Sequence, residues 1–245
     1  MALILREMTT KYGKNPGGYL WAIVEPMGAI LILSLAFSLL IRTPSLGTSF
    51  VLFYSTGYLP FSLYQTISLT TSRAISFSRP LLFYPAVTWL DAILARFILN
   101  AVTGVLITYI LLSAVLAVTN TRVVLDFVPM VPAMLLAMAL GLGVGTLNCA
   151  LIGVYPTWDL IWSIITRPLF IASAIIFIME DLPSSVQNVL WFNPLVHITG
   201  LMRTGFYPMY SPQYISIAFV LGVSLAAFVL GLILLGRYHR DILNR

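Results

Sequence analysis

The chain is 245 residues long, 60% hydrophobic and only 9% charged, with a mean hydropathy of +0.98. Soluble domains carry about 25% charged residues, so the composition excludes a globular enzyme and points to an all-α polytopic membrane protein. The formal net charge of +5 fits the Lys/Arg enrichment of cytoplasmic loops better than nucleic-acid binding. The single cysteine, Cys149, leaves disulfides no part in the fold.

In residues 1–19, Ile4, Leu5, Met8 and Tyr12 recur at helical spacing among Arg6, Glu7, Lys11 and Lys14. The pattern predicts an amphipathic helix on the inner membrane surface. Asn15-Pro16-Gly17-Gly18 then breaks it and turns the chain into the bilayer.

A membrane span needs roughly 20 apolar residues. Six runs reach that length: about 20–41, 50–73, 92–118, 127–153, 160–179 and 214–236. The first is too long for a signal-peptide core and is expected to stay in place. An even number of spans puts both termini on one side. Arg6, Lys11, Lys14, Arg73, Arg79, Arg96, Arg167, Arg237, Arg240 and Arg245 fall on or nearest that side, against Arg42, Arg122 and Arg203 opposite. This bias places both termini in the cytoplasm, with Trp21, Trp89, Trp158 and Trp162 at the inner interface.

Two connections stand out. Ser76–Arg96, between the second and third runs, carries Arg79, Asp91 and Arg96 with prolines at 80 and 85. A charged, proline-punctuated island on the cytoplasmic side suits a compact docking knob. The external connection 180–213 is apolar and punctuated by Asn193-Pro194 and Tyr207-Pro208. Structureless loops of that length are rare unless functional. Two short helices dipping into the outer leaflet are expected, as either a re-entrant gate or an ordinary interfacial pair.

Chemistry-bearing motifs are missing. There is no GxxxxGK[ST], GxSxG or HExxH. His197 and His239 fall on opposite faces of the membrane and cannot share a metal. No catalytic residue, metal site or cofactor is therefore assigned to this chain.

What remains are polar and aromatic groups inside the spans. Glu25, before Pro26, either contacts substrate or makes a structural bond near the inner interface. Arg167, before Pro168, either snorkels inward or faces a polar conduit. Tyr54, Tyr58, Phe61 and Gln65 share one helical face, with Tyr64 beside it. Such a face either stacks on sugar rings or packs between helices. Gly141, Gly143, Gly145 and Gly153 favour close helix contact in the fourth run.

The amphipathic start, YLWAIVEP, SRPLLFYPAVTWLDAILAR, YPTWDLI and LPSSVQNVLWFNPLVHITGLMRTGFYP together resemble the ABC-2 permease family. The resemblance runs over essentially the whole chain. It is nearest to inner-membrane permeases of bacterial capsular-polysaccharide exporters, with O-antigen permeases next. It implies a homodimer with a glycan channel at its interface and two copies of a separate ABC ATP-binding subunit, which would hold the ATP and magnesium. Capsule systems add a periplasmic polysaccharide co-polymerase and an outer-membrane exporter, and their cargo is a lipid-linked, typically acidic glycan.

On that resemblance the coupling helix maps onto about 76–89, with Arg79, Pro80, Leu81, Leu82, Phe83, Tyr84 and Pro85 as the coupling residues. The channel candidates are Tyr54, Tyr58, Phe61, Tyr64, Arg73, Arg167 and Glu25. The external gate candidates are Trp191, Phe192, Asn193, Pro194 and His197. The expected location is the bacterial inner membrane. Alternative readings are an O-antigen, teichoic-acid or small-molecule exporter of the same architecture, a lipid-modifying membrane enzyme, or a non-transporting assembly scaffold.

Overall fold

A computed structural model describes residues 18–82, 87–119 and 124–244. Nearly all of the expected amphipathic segment lies outside these residues, as do Phe83, Tyr84, Pro85 and Arg122. Every regular element among the described residues is helical: α1 Tyr19–Leu40, α2 Phe50–Ser72, α3 Ala74–Leu82, α4 Trp89–Val118, α5 Phe127–Val154, α6 Thr157–Ala172, α7 Ser184–Leu190, α8 Pro194–Thr204 and α9 Ile217–Asn244. A 3₁₀ turn, Met179–Asp181, precedes α7.

Local chemistry explains most boundaries. The Ser49 hydroxyl accepts from the Leu52 N–H at the start of α2. Thr88 and Asp91 form a reciprocal capping box on α4: Thr88 Oγ1 accepts the Asp91 N–H at 3.2 Å, and Asp91 accepts the Thr88 N–H at 2.9 Å. Asp126 caps α5 through the Val128 N–H, and Asn193 caps α8 ahead of Pro194 at the first helical position.

Four helices, α1, α4, α5 and α9, are long and apolar enough to cross a membrane. The 23-residue α2 is long enough but carries Ser55, Thr56, Gln65, Thr66, Ser68, Thr70 and Thr71. Its place in the bundle accounts for this. α2 packs against α1, α4, α5 and α8, and most of it is buried, so it has little lipid-facing surface to keep apolar.

The α2–α5–α9 contact is close because of glycine. A Cβ on Gly145 would stand 2.8 Å from the Thr71 Cβ, and one on Gly141 would stand 2.9 Å from the Ile67 Cβ. On the other side of α5, a Cβ on Gly143 would collide with the Ser224 carbonyl oxygen of α9. Small residues let helix backbones approach where apolar burial supplies no driving force.

The expected fifth span, 160–179, departs from one continuous helix: α6 stops at Ala172. Ala174 adopts a left-handed conformation (φ 55°), and the chain runs irregularly to Ile178. Four of the freed carbonyls are claimed by residues 193–203. Asn193 Nδ2 donates to Ala172 O at 2.9 Å, Thr199 Oγ1 to Ser173 O at 2.9 Å, and Arg203 to Ile175 O and Phe177 O, both at 2.8 Å. Non-helical backbone at depth survives when protein satisfies it. α8 supplies most of these donors and is buried along most of its length, packed on α5, α2 and α9.

Candidate functional site

A groove of about 580 Å³ runs between α1, α2 and α6. α2 contributes Tyr58, Phe61, Tyr64, Gln65, Ser68, Leu69 and Arg73, one helical stripe. α6 faces it with Asp159, Trp162, Ser163, Thr166, Arg167 and Phe170, which recur at i, i+3, i+4, i+7, i+8 and i+11. α1 closes one side with Ala29, Ile32 and Leu33.

The groove changes character along its length. At the Arg73 end, the Arg73 Nη2 donates to both Asp159 carboxylate oxygens, at 3.1 and 3.3 Å. Further along α6, Arg167 is exposed and forms no hydrogen bond or ion pair among the described residues. At the other end Phe170 meets Phe61 edge-on at a centroid distance of 5.5 Å and Tyr58 at 6.2 Å. Asp159 is matched by Arg73, so the Arg167 charge is left over and the groove is net positive. Aromatic faces, an amide and an unmatched guanidinium suit a hydroxyl-rich or anionic chain passing through. They form no nucleophile–base pair, and no group of three or more His, Cys, Asp or Glu able to hold a metal occurs among the described residues.

Five of the sequence candidates, Tyr58, Phe61, Tyr64, Arg73 and Arg167, therefore come together in one groove. Phe61 and Tyr64 are buried, only 1% and 3% exposed, so they are also packing residues. Tyr54 lies elsewhere, in a cluster with Phe37, Phe50 and Phe53. Glu25 lines a second notch, toward α4, that shares Tyr58 with the groove.

The external candidates form a bracket at the base of α8. Trp191 packs on His197 (5.4 Å between centroids), Phe192 (5.5 Å) and Phe219 (4.9 Å), and its indole N–H donates to Tyr214 O. The Ser216 N–H donates to His197 Nδ1 at 3.1 Å, while His197 Nε2 lies 2.8 Å from Trp191 O. A backbone N–H can only donate and a carbonyl can only accept, so the imidazole is neutral with its proton on Nε2. Phe192 stays 69% exposed. Asn193 links this bracket to the end of α6 and hence to the groove.

On the charged island, Ala74, Ile75 and Ser78 of α3 are buried, while Ser76, Phe77 and Pro80 are exposed. Arg79 donates to Leu243 O of α9 at 2.9 Å, and Leu82 packs against the buried cluster of Ala74, Ile75, Ile93, Cys149, Ala150 and Leu235. Leu81 is half-buried. Phe83, Tyr84 and Pro85 lie outside the described residues.

Sequence reasoning did not assign Asp159, Trp162, Ser163, Thr166 and Phe170 to the channel, placing Trp162 only at the inner interface, although their helical spacing was a usable signal. It also passed over Arg203, whose role depends on carbonyls exposed by a break that hydropathy does not reveal.

Comparison with known proteins follows the same lines. The sequence pattern of the family described as ABC-2 type transporter matches residues 1–207. The chain is 30% identical to "Polysialic acid transport protein KpsM" of Escherichia coli, over 95% of this chain and 90% of that protein. It is 27% identical to "Capsule polysaccharide export inner-membrane protein CtrC" of Neisseria meningitidis, over 98% and 91%. It is 29% identical to "Capsule polysaccharide export inner-membrane protein BexB" of Haemophilus influenzae, again over 98% and 91%. With a family match across most of its length and relatives that cover it nearly end to end, this chain belongs to the ABC-2 type transporter family.

Proposed function

We propose that the chain is the permease subunit of an ATP-driven exporter of capsular polysaccharide in the bacterial inner membrane. The observation that carries this reading is the groove between α1, α2 and α6. It lies along the side of the bundle, and α6 has no buried residue. Ser163 and Arg167 are exposed on it, and a guanidinium facing hydrocarbon is costly, about 2.5–3.5 kcal/mol at a helix centre. A second copy of the chain across the groove would remove that cost and convert two grooves into one channel. Relatives named for capsule and polysialic-acid transport support the cargo class.

In this reading the chain crosses the membrane six times. α2 is the shielded central span, α6 with 173–178 completes the fifth crossing, and both termini face the cytoplasm. α7 and α8 form a re-entrant element on the outer side, with Trp191, Phe192, Asn193, Pro194 and His197 at its turning point. An amphipathic helix precedes α1. α3 and the residues after it dock one of two separate ABC ATP-binding subunits, which hold ATP and magnesium. A periplasmic co-polymerase and an outer-membrane exporter continue the route of a lipid-linked, acidic glycan.

Arg167→Gln tests the groove. Arg167 is exposed and unbonded, so assembly and thermal stability are expected to stay within the roughly 0.5 kcal/mol typical of surface changes. Export of an acidic glycan from inverted vesicles is expected to fall about tenfold, the effect of losing one charge-assisted contact. Unchanged export by Arg167→Gln, and by Arg73→Gln beside it, would remove the groove from the pathway.

A further inference from the structure

Beside the groove, along the same stripe of α1 and sharing Tyr58 with it, a notch of about 240 Å³ opens between α1, α2 and α4. Its wall carries Glu25, Ser62, Thr66, Asn100, Thr103 and Thr108, and no Lys, Arg or His. Two contacts set its level. The Phe37 and Tyr54 rings meet across the antiparallel α1–α2 pair, and Arg96 Nη1 donates to Thr70 O across α2–α4. Glu25 and Thr66 each lie twelve residues from the first contact, and Asn100 and Thr66 each lie four from the second. Glu25, Thr66 and Asn100 therefore share one depth, each on a different helix.

Several hydroxyls of this notch lack the back-bond common elsewhere in the spans, a lack shared by the buried Ser34, Ser68 and Thr71. Ser55, Thr70, Thr146, Thr166 and Ser224 each donate back to a carbonyl of their own helix, the usual way to hide a hydroxyl among apolar neighbours. Thr66, Thr103 and Thr108 make no such bond among the described residues, and Glu25 forms neither an ion pair nor a hydrogen bond there. Polar groups between apolar spans are expensive unless something satisfies them. Gly104 lies at the back of the notch, and Trp21, 59% exposed, stands on its wall.

We propose that this notch binds one monosaccharide-sized polyol, at a site that adjoins the groove through Tyr58. Glu25 accepts hydrogen bonds from its hydroxyls, Thr66, Thr103, Thr108 and Asn100 supply further polar contacts, and the Trp21 indole offers a stacking face. With a carboxylate and no cation on its wall, the notch repels anions and selects a neutral sugar ring or a glycerol-type headgroup. Its volume falls below the roughly 300 Å³ at which drug-sized ligand pockets begin, so it holds one ring and no more. The export reading enters only in the choice of a sugar as probe.

The test uses the full chain with Cys149→Ala in lipid nanodiscs. Thr103→Cys is labelled with a water-soluble maleimide, with octyl glucoside or an uncharged polyoxyethylene octyl ether present below solubilising concentration. The glucoside is expected to slow labelling at least about tenfold and the ether not at all, and Glu25→Gln is expected to remove most of that protection, as loss of one charged hydrogen bond does. Met209→Cys, at an exposed site, is expected to label equally in all cases. Protection by methyl glucoside would assign the polyol to a sugar. Protection only by discs rich in monoacylglycerol, with its neutral glycerol headgroup, would assign it to a bilayer headgroup. A cysteine unreactive at both Thr103 and Thr66, or protection by the ether as strong as by the glucoside, would overturn the proposal. No transport is needed for this readout, so failure of the notch and failure of the export reading are separate outcomes.

Discussion

Arg73 at the end of α2 and Asp159 in the first turn of α6 meet at 3.1 Å, the sole ion pair among the described residues. Both are on the groove wall, and their side chains are 47% and 40% exposed. At that exposure the pair contributes no more than about 1 kcal/mol to stability. Its consequence is positional: it ties the α6 end of the groove to the central helix. Arg73→Asp is expected to leave accumulation and thermal midpoint unchanged while export falls, and the reversed pair Arg73→Asp with Asp159→Arg is expected to recover most of it. The measurement is glycan export per assembled complex. No recovery in the double variant would mean that Arg73 acts on the cargo rather than through Asp159.

Arg203 carries a heavier structural load. Its side chain is fully buried, donates to Ile175 O and Phe177 O, and lies 4.3 Å from the centre of the Phe53 ring. Arg203→Leu leaves two buried carbonyls unpaired, each costing about 1–3 kcal/mol. Arg203→Lys keeps the charge but loses the planar fork that reaches both. Both variants are expected to lose thermal stability in detergent, with Leu the more severe. Thr199→Val, which leaves only Ser173 O short of this partner, is expected to lose less. A melting curve for Arg203→Lys matching the unmodified protein would show that the break after Ala172 does not depend on the fork.

How much of this was legible in the sequence depended on what each residue's neighbours had to be. Apolar runs mark helices long enough to cross a membrane because lipid leaves the backbone no other partner, and α1, α4, α5 and α9 read directly. The groove residues of α2 read as a stripe because helical spacing alone places Tyr58, Phe61 and Gln65 together. The break after Ala172 did not read, since Ala174, Ile175 and Ile176 are as apolar as any helix interior. Only the donors of Asn193, Thr199 and Arg203, brought in from the external segment, make that conformation affordable. Glu25 read as an anomaly, but which side of α1 it faced depended on how three helices pack.

The glycine contacts make a prediction with an internal control. A methyl on Gly143 would strike the Ser224 carbonyl, a backbone atom that cannot swing aside. Gly236, on α9, has nothing within 4 Å of where a Cβ would stand. Gly143→Leu is expected to separate α5 from α9 and abolish accumulation. Gly236→Ala is expected to be neutral or to stabilise by up to about 1 kcal/mol through helix propensity. Membrane-fraction immunoblots and detergent melting curves check both, and a well-folded Gly143→Leu protein would refute the close α5–α9 packing.

The last prediction concerns α3. Its buried face, Ala74, Ile75 and Ser78, is fixed to the bundle, and Arg79 reaches the end of α9. Pro80 is exposed, and Phe77, 59% exposed, turns one ring face to the Arg96 guanidinium of α4, which lies 4.5 Å from its centroid. Exposed apolar groups on the cytoplasmic side of a permease need a partner, and the proposed one is the ATP-binding subunit. Phe77→Asp and Pro80→Asp are expected to leave the spans folded, because neither side chain is in the core and a carboxylate at 77 can pair with the Arg96 guanidinium that the ring covers. ATP hydrolysis by the assembled complex is expected to continue without glycan export, or the ATP-binding subunit is expected to dissociate on size exclusion. Leu82→Asp is a mixed case: Leu82 packs against the buried cluster that includes Ala74, Ile75 and Ile93, so it is expected to lose stability as well as coupling. Wild-type export from both Phe77→Asp and Pro80→Asp would move the docking surface off α3. Lost export with lowered stability in all three variants would instead make α3 a structural element of the bundle.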